Sequence, residues 1–168
     1  SSDIGTLKTV SQLEVKNFLN FDNTQYQGDY IIISNPRLYN GVSGNPVEAY
    51  RAYRSSASGG NYNAKIYDIE QLVDQFAFGI KLHPLSIKNF LSYARARFSQ
   101  KPKFTFLIGK GLTYDQFRTY ESRPTTVNIA LIPTFGLPGS DNILGSEGYD
   151  AIPETPIRRL SVLLPQEV

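Results

Sequence analysis

The feature that most constrains this fold is the run Phe104-Thr105-Phe106-Leu107-Ile108, followed at once by Gly109-Lys110-Gly111. A short apolar run with no polar alternation, ending on glycines, predicts a strand buried on both faces of a sheet. The turn after such a strand is where open α/β sheets place their sites. A second run of the same kind, Asp29-Tyr30-Ile31-Ile32-Ile33-Ser34, ends at Asn35-Pro36, where proline removes a donor and disfavours helix in the residue before it.

The segments between and beside these runs have helical signatures. Asn45-Pro46 reads as a cap followed by a first-turn proline, with a helix from about Val47 to Ser55. Val47, Tyr50 and Tyr53 would form its inward stripe and Arg51 and Arg54 its outer side. Ser58 to Asn63 is a turn, and Ala64 to Ile69 a strand. Glu70 to Phe76 is a short helix with Leu72, Val73 and Phe76 inward, ended by Gly79. His83-Pro84 opens the longest helix, to about Phe98. There Ile87, Phe90, Leu91 and Ala94 recur at one-face spacing, and Lys88, Arg95 and Arg97 are expected in solvent. The alternation of strand and helix predicts an α/β fold: layered, a mostly parallel and Rossmann-like sheet with helices on both faces.

Outside this body, residues 1–28 read as an N-terminal arm, with Leu13-Glu14-Val15 as a short edge strand and Phe18 and Phe21 as anchors. Residues 29–168 form the α/β unit. Tyr114 to Glu121 suggests a short helix. Val127 to Pro133 has strand character at a sheet edge, Phe135 to Asn142 is a glycine-rich loop, and Ile157 to Leu164 is a fourth strand. Pro165 then stands where a helix should begin, so the C-terminus reads as a cut within a domain, with an unpaired strand edge or apolar face beside it.

Composition narrows the chemistry. The chain has 168 residues, no Cys, one His and a formal net charge of +2. Without cysteine there is no thiol nucleophile, no disulfide and no Cys/His zinc site. The longest basic cluster is Arg158-Arg159, too little concentrated charge for a nucleic-acid partner. No apolar run reaches the roughly 20 residues of a transmembrane helix. Gly109-Lys110-Gly111 lacks the spacing of a phosphate loop and reads as a strand-end turn. His83 reads as a helix-start residue, at the opposite end of its helix from that turn. Lys110, Asp141 and Asn142 are candidates for a cleft rim, although Asp141 in Gly139-Ser140-Asp141-Asn142 also suits an Asx turn. Asp115, Asp141, Glu147 and Asp150 are too scattered to mark a metal site. No cofactor is expected, and a structural calcium is left open without a ligand set.

Several stretches, taken in order, resemble the N-terminal part of the catalytic domain of gingipain-like cysteine peptidases. They are similar in particular to the sortase-like branch that processes C-terminal signals in type IX secretion. The stretches are 29–34, Tyr50-Arg51 before Gly59-Gly60, Tyr67 to Leu72, Phe76 to Ile80, Ile87 to Leu91, Phe106 to Gly111, Ile132 to Gly136, 139–142 and Pro156 to Ser161. The resemblance implies a caspase-like fold, a site at the C-terminal strand ends, and a His/Cys dyad downstream of the last strand here, so that no catalytic residue is carried over to this chain. It implies a protein or peptide substrate, the remaining half of the peptidase domain and secretion-system components as partners. The implied location is extracellular or at the outer membrane of a Gram-negative bacterium. Where the family has Ile-Gly-Arg-Leu this chain has Ile157-Arg158-Arg159-Leu160, which raises a question about the backbone at Arg158. The alternative is a non-catalytic interaction module of a secretion or surface complex.

Overall fold

The computed structural model describes residues 12, 15–136, 139–148 and 152–168. Its centre is a parallel sheet of four strands: β1 (Tyr30–Ser34), β2 (Ala64–Asp68), β3 (Phe104–Ile108) and β4 (Ile157–Leu160), in the order β2-β1-β3-β4. The helices are α1 (Pro46–Ser55), α2 (Ile69–Phe76), α3 (Leu85–Arg97), α4 (Tyr114–Tyr120), α5 (Pro124–Ile129) and α6 (Asn142–Gly145). The register aligns Tyr30 with Ala64 and Phe104, and Ile33 with Tyr67 and Leu107. Tyr30, Ile32, Phe104 and Phe106 therefore share one face, and Ile31, Ile33, Tyr67 and Leu107 the other.

Helix α1 lies on the first face. Its entry is fixed as the sequence suggests, with Asn45 Oδ1 accepting from the Glu48 amide at 3.1 Å and Pro46 in the first turn. Val47 is fully buried, and Tyr50 meets Tyr30 by a hydroxyl contact of 3.0 Å and Phe106 at 5.1 Å between rings. The other two expectations for this helix fail. Tyr53 is exposed, while Arg54 turns inward and lies over the rings of Tyr30 and Tyr62 at 4.6 and 5.0 Å. A planar guanidinium packs on aromatic faces at little desolvation cost, so the tyrosine wall draws it in.

Helices α2 and α3 cover the second face. Phe90 packs 4.7 Å from Tyr67 and 5.4 Å from Phe21, the residue by which the arm enters the core. Ile87, Phe90, Leu91 and Ala94 are fully buried, as their spacing predicts. Lys88 is not in solvent, however, and is 8% exposed. Its Nζ donates to the carbonyls of Ile143 (3.0 Å), Ser146 (2.6 Å) and Gly148 and to Ser146 Oγ (3.3 Å). Arg95, two turns farther along the same helical face, donates to Gly145 O at 3.0 Å. The free carbonyls at the end of α6 attract cations, and α3 supplies two.

Other expectations change for equally local reasons. Phe104 is 39% exposed and Phe106 half-buried, because α1 lies mainly over β1 and β2 and leaves that face of β3 partly open. The stretch from Val127 is not a strand. Pro124 starts helix α5, and Arg37 Nη1 donates to Val127 O and Asn128 O at its C-terminal end. Strand β4 stops at Leu160 rather than Leu164, although Lys110 N still donates to Val162 O at 2.8 Å. Pro165–Glu167 forms a 3-10 turn. Arg158 sits in the β4 ladder opposite Phe106, exposed and without positive φ, so the position does not require glycine. Leu13 and Glu14 lie outside the described residues, and Val15 is exposed and non-helical.

Candidate functional site

The strand order creates a switch point. From β1 the chain crosses over one face to β2 on one side, then over the other face to β3 on the other side. The crevice beyond the C-terminal ends of β1 and β3 is therefore the natural site of this architecture. It is built by the residues that follow each strand. Ser34 Oγ donates to Ile108 O at 3.1 Å, tying the two strand ends together. Asn35, nearly buried, donates from Nδ2 to Leu131 O at 3.2 Å and accepts from Arg37 N at 3.1 Å. Between the strand ends and α2 lies a cleft of about 270 Å³. Its apolar floor comes from Ile69, Val73, Leu82 and Leu131, and Glu70, Asp74 and Lys81 carry charge at its border.

Glycines at the end of β3 are explained by close approach. Gly109 has φ +142, and a Cβ there would sit 2.8 Å from Ile132 Cγ1. At Gly111 a Cβ would sit 2.8 Å from Ile132 O and 2.9 Å from Arg159 Nη1. The two glycines thus let segment 131–134 fold back over the strand end. Lys110 O accepts from Leu131 N and Ile132 N at 3.0 and 3.1 Å, and Thr113 bridges to Thr134.

Arg159 locks this layer. It is a side chain 12% exposed, pointing from β4 into the strand-end region. Its Nη1 donates to Gly109 O (2.9 Å) and Ile132 O (3.2 Å), and Nη2 to Pro133 O (2.8 Å). Nε and Nη2 also form a two-pronged pair with Asp141 Oδ2 and Oδ1, both at 2.7 Å. Thr134 Oγ1 adds a donor to Asp141 Oδ1 at 3.0 Å. The planar five-donor fork is needed for this, and a lysine could not reach these acceptors at once.

The three candidates from the sequence are placed apart. Asp141 is the partner of Arg159, and its side chain makes no cap bond to α6. Lys110 stands over the same strand end with a half-buried side chain. It faces the last turn, where the amides of Leu163 and Leu164 hold the Glu167 carboxyl below its usual value and Lys110 adds to the effect. Asn142 instead lines a second cleft, with Phe104, Pro156 and Arg158. Asp150 lies outside the described residues. Among the described residues no group of three or more His, Asp or Glu is placed to hold a metal ion.

His83 corrects the sequence reading. Helix α3 runs antiparallel to the strands, so its start lies at their C-terminal end and not at the far end. The His83 ring packs 4.8 Å from Tyr114, just after β3. Burial lowers its pKa, and Nδ1 accepts from the Leu85 amide at 3.2 Å, which caps the helix. Arg159 was the residue that sequence reasoning missed. Ile157 and Arg159 occupy the same strand face, and an arginine in step with a buried isoleucine is the signal that was available.

Comparison with known proteins gives this geometry a context. The model for peptidase family C25 matches residues 23–168. Nothing matches among curated proteins. Among solved structures, the chain is similar to the one described as the crystal structure of dimeric latent PorU from Porphyromonas gingivalis. The TM-score is 0.59 at 16% identity, over 83% of this chain and 14% of that one. That likeness shows the fold, and the chain spans about a seventh of the length of the protein it matches.

Proposed function

The chain belongs to peptidase family C25, the gingipain family, and on that premise we propose that it is the scaffold part of a secreted cysteine peptidase of the type IX secretion route. The whole protein would cleave or transfer peptide bonds by thiolate attack, at the cell surface or outside the cell. These 168 residues hold no cysteine, so the proposal places the His/Cys dyad elsewhere in the protein. The division into an arm at 1–28 and an α/β body at 29–168 goes with this reading. Lys110 and Asp141 would stand on the rim of the completed cleft, with Asn142 farther out. No helix among the described residues is long and apolar enough to cross a membrane.

The observation that supports the reading most is the braced strand-end layer in a chain matched by the family model. A peptidase needs a rigid platform beside its nucleophile, because misplacement of reacting groups by about 1 Å can cost about a hundredfold in rate. Arg159 and Asp141 supply that rigidity without themselves being nucleophiles. The test compares the 168-residue chain with a longer form of the protein. With reductant and a fluorogenic peptide mixture, the 168-residue chain shows no turnover. The longer form turns over and is stopped by iodoacetamide. Turnover by the 168-residue chain would remove the missing-dyad reading. An inert longer form, still able to bind a secretion or surface component, would favour the non-catalytic module.

A further inference from the structure

Strand β2 is an outer strand of the sheet. The ladder with β1 turns the peptide groups of Asn63, Lys65 and Tyr67 inward, as shown by Asp29 N donating to Asn63 O at 3.1 Å. Strand alternation then turns the N–H and C=O of Ile66 outward. Among the described residues neither group has a partner. Outer edges of this kind are templates for another strand unless something blocks them. Here no proline or bulge does so.

A groove of about 400 Å³ runs along this edge. Leu19, Phe21 and Tyr26 of the arm form one wall, and Tyr39 and Gln71 the other. Two polar atoms in that wall, Tyr39 Oη and Gln71 Oε1, are buried without a hydrogen-bond partner. An unmet buried polar group is destabilising, so a guest that reaches either atom and hydrogen-bonds to it relieves that cost. Lys65 and Asp68 are the first and last of the four β2 residues lining the groove, a cation and a carboxylate whose side chains alternate to opposite faces of the sheet. The guest must offer main-chain donors and acceptors at strand spacing, apolar side chains on alternate residues and charge at its two ends. An extended polypeptide has all of these.

We infer that the β2 edge groove binds an extended polypeptide segment as a fifth strand, main chain to Ile66, and serves as a substrate-holding exosite remote from the strand-end crevice. The substrate role rests on the peptidase reading, whereas the binding does not. Main-chain pairing gives the affinity and the groove selects an apolar side chain flanked by opposite charges.

The test uses the isotope-labelled 168-residue chain and the probe acetyl-Glu-Val-Thr-Val-Lys-amide, with a second probe N-methylated at the central residue. The first probe should slow exchange of the Ile66 amide, and the methylated probe should bind at least about tenfold more weakly. Ile66→Pro removes the outward donor while leaving the β1 ladder bonds of Lys65 and Tyr67 in place, at the cost of the partly buried isoleucine side chain, and should weaken binding similarly. Should that variant fail to fold, Tyr39→Phe replaces it: it should raise the melting temperature of the free chain and weaken the probe. Equal binding of the two probes would overturn the inference. So would an Ile66 amide unchanged at millimolar probe, or a Tyr39→Phe chain that binds as well as the parent. None of these measurements uses turnover, so a failed peptidase assay and a failed exosite are separate results.

Discussion

Arg159 does more than any other residue to hold the strand ends in place. Its pair with Asp141 is largely screened from water, and its remaining donors meet three carbonyls. Removing one member of a buried pair leaves an uncompensated charge, which costs about 3–5 kcal/mol. Arg159→Leu should therefore lower stability by about 3 kcal/mol in urea denaturation. Arg159→Lys should recover only part, because an ammonium cannot reproduce the fork. Equal stability of Arg159→Lys and the parent chain would show that the bidentate geometry is unimportant. Neither Arg159 nor Lys88 was legible as a buried residue, for one reason. Their burial depends on oxygen acceptors 18 to 60 residues away, and a local window contains only their charge.

Among elements, those with local causes were legible. α1 has its Asn45 cap and Pro46, β1 its three isoleucines, and α3 its one-face spacing, and each forms where those signals lie. α5 was hidden because Val127 and Ile129 favour strands, while its helix rests on Pro124 and on distant Arg37. The end of α2 carries an unusual load. Gly79 N donates back to Val73 O at 3.0 Å, so the intervening Phe78 takes the left-handed position usual for glycine. Its φ is +54 and its ring is 94% exposed. A non-glycine residue there costs about 1–2 kcal/mol, and no burial of this ring offsets it. Phe78→Gly should stabilise the chain by about 1 kcal/mol, read as a rise in denaturant midpoint at constant m-value. A fall in midpoint would mean that the ring has a packing role not seen here.

On the scale of the whole molecule, β1 and β3 are the inner strands and β2 and β4 the outer ones. Protection against hydrogen exchange should follow that order, with an alternation in β2: slow at Lys65 and Tyr67, fast at Ile66. Uniform protection along β2 in the free chain would mean that its edge is already covered. The parallel layering was legible from strand–helix alternation alone, and the glycine turn after β3 marked one edge of the candidate site, but the residues that the crossovers bring to that edge were not legible. That placement also moved His83 to the C-terminal end of the strands. The clamp has a consequence in time as well. Arg159 gathers groups from Gly109, Ile132, Pro133 and Asp141, all made before it. A chain emerging N-terminus first can form β1, β2 and β3 while its strand-end layer is still loose. That layer sets only once Arg159 has arrived, so the strand ends become rigid after the strands that lead to them.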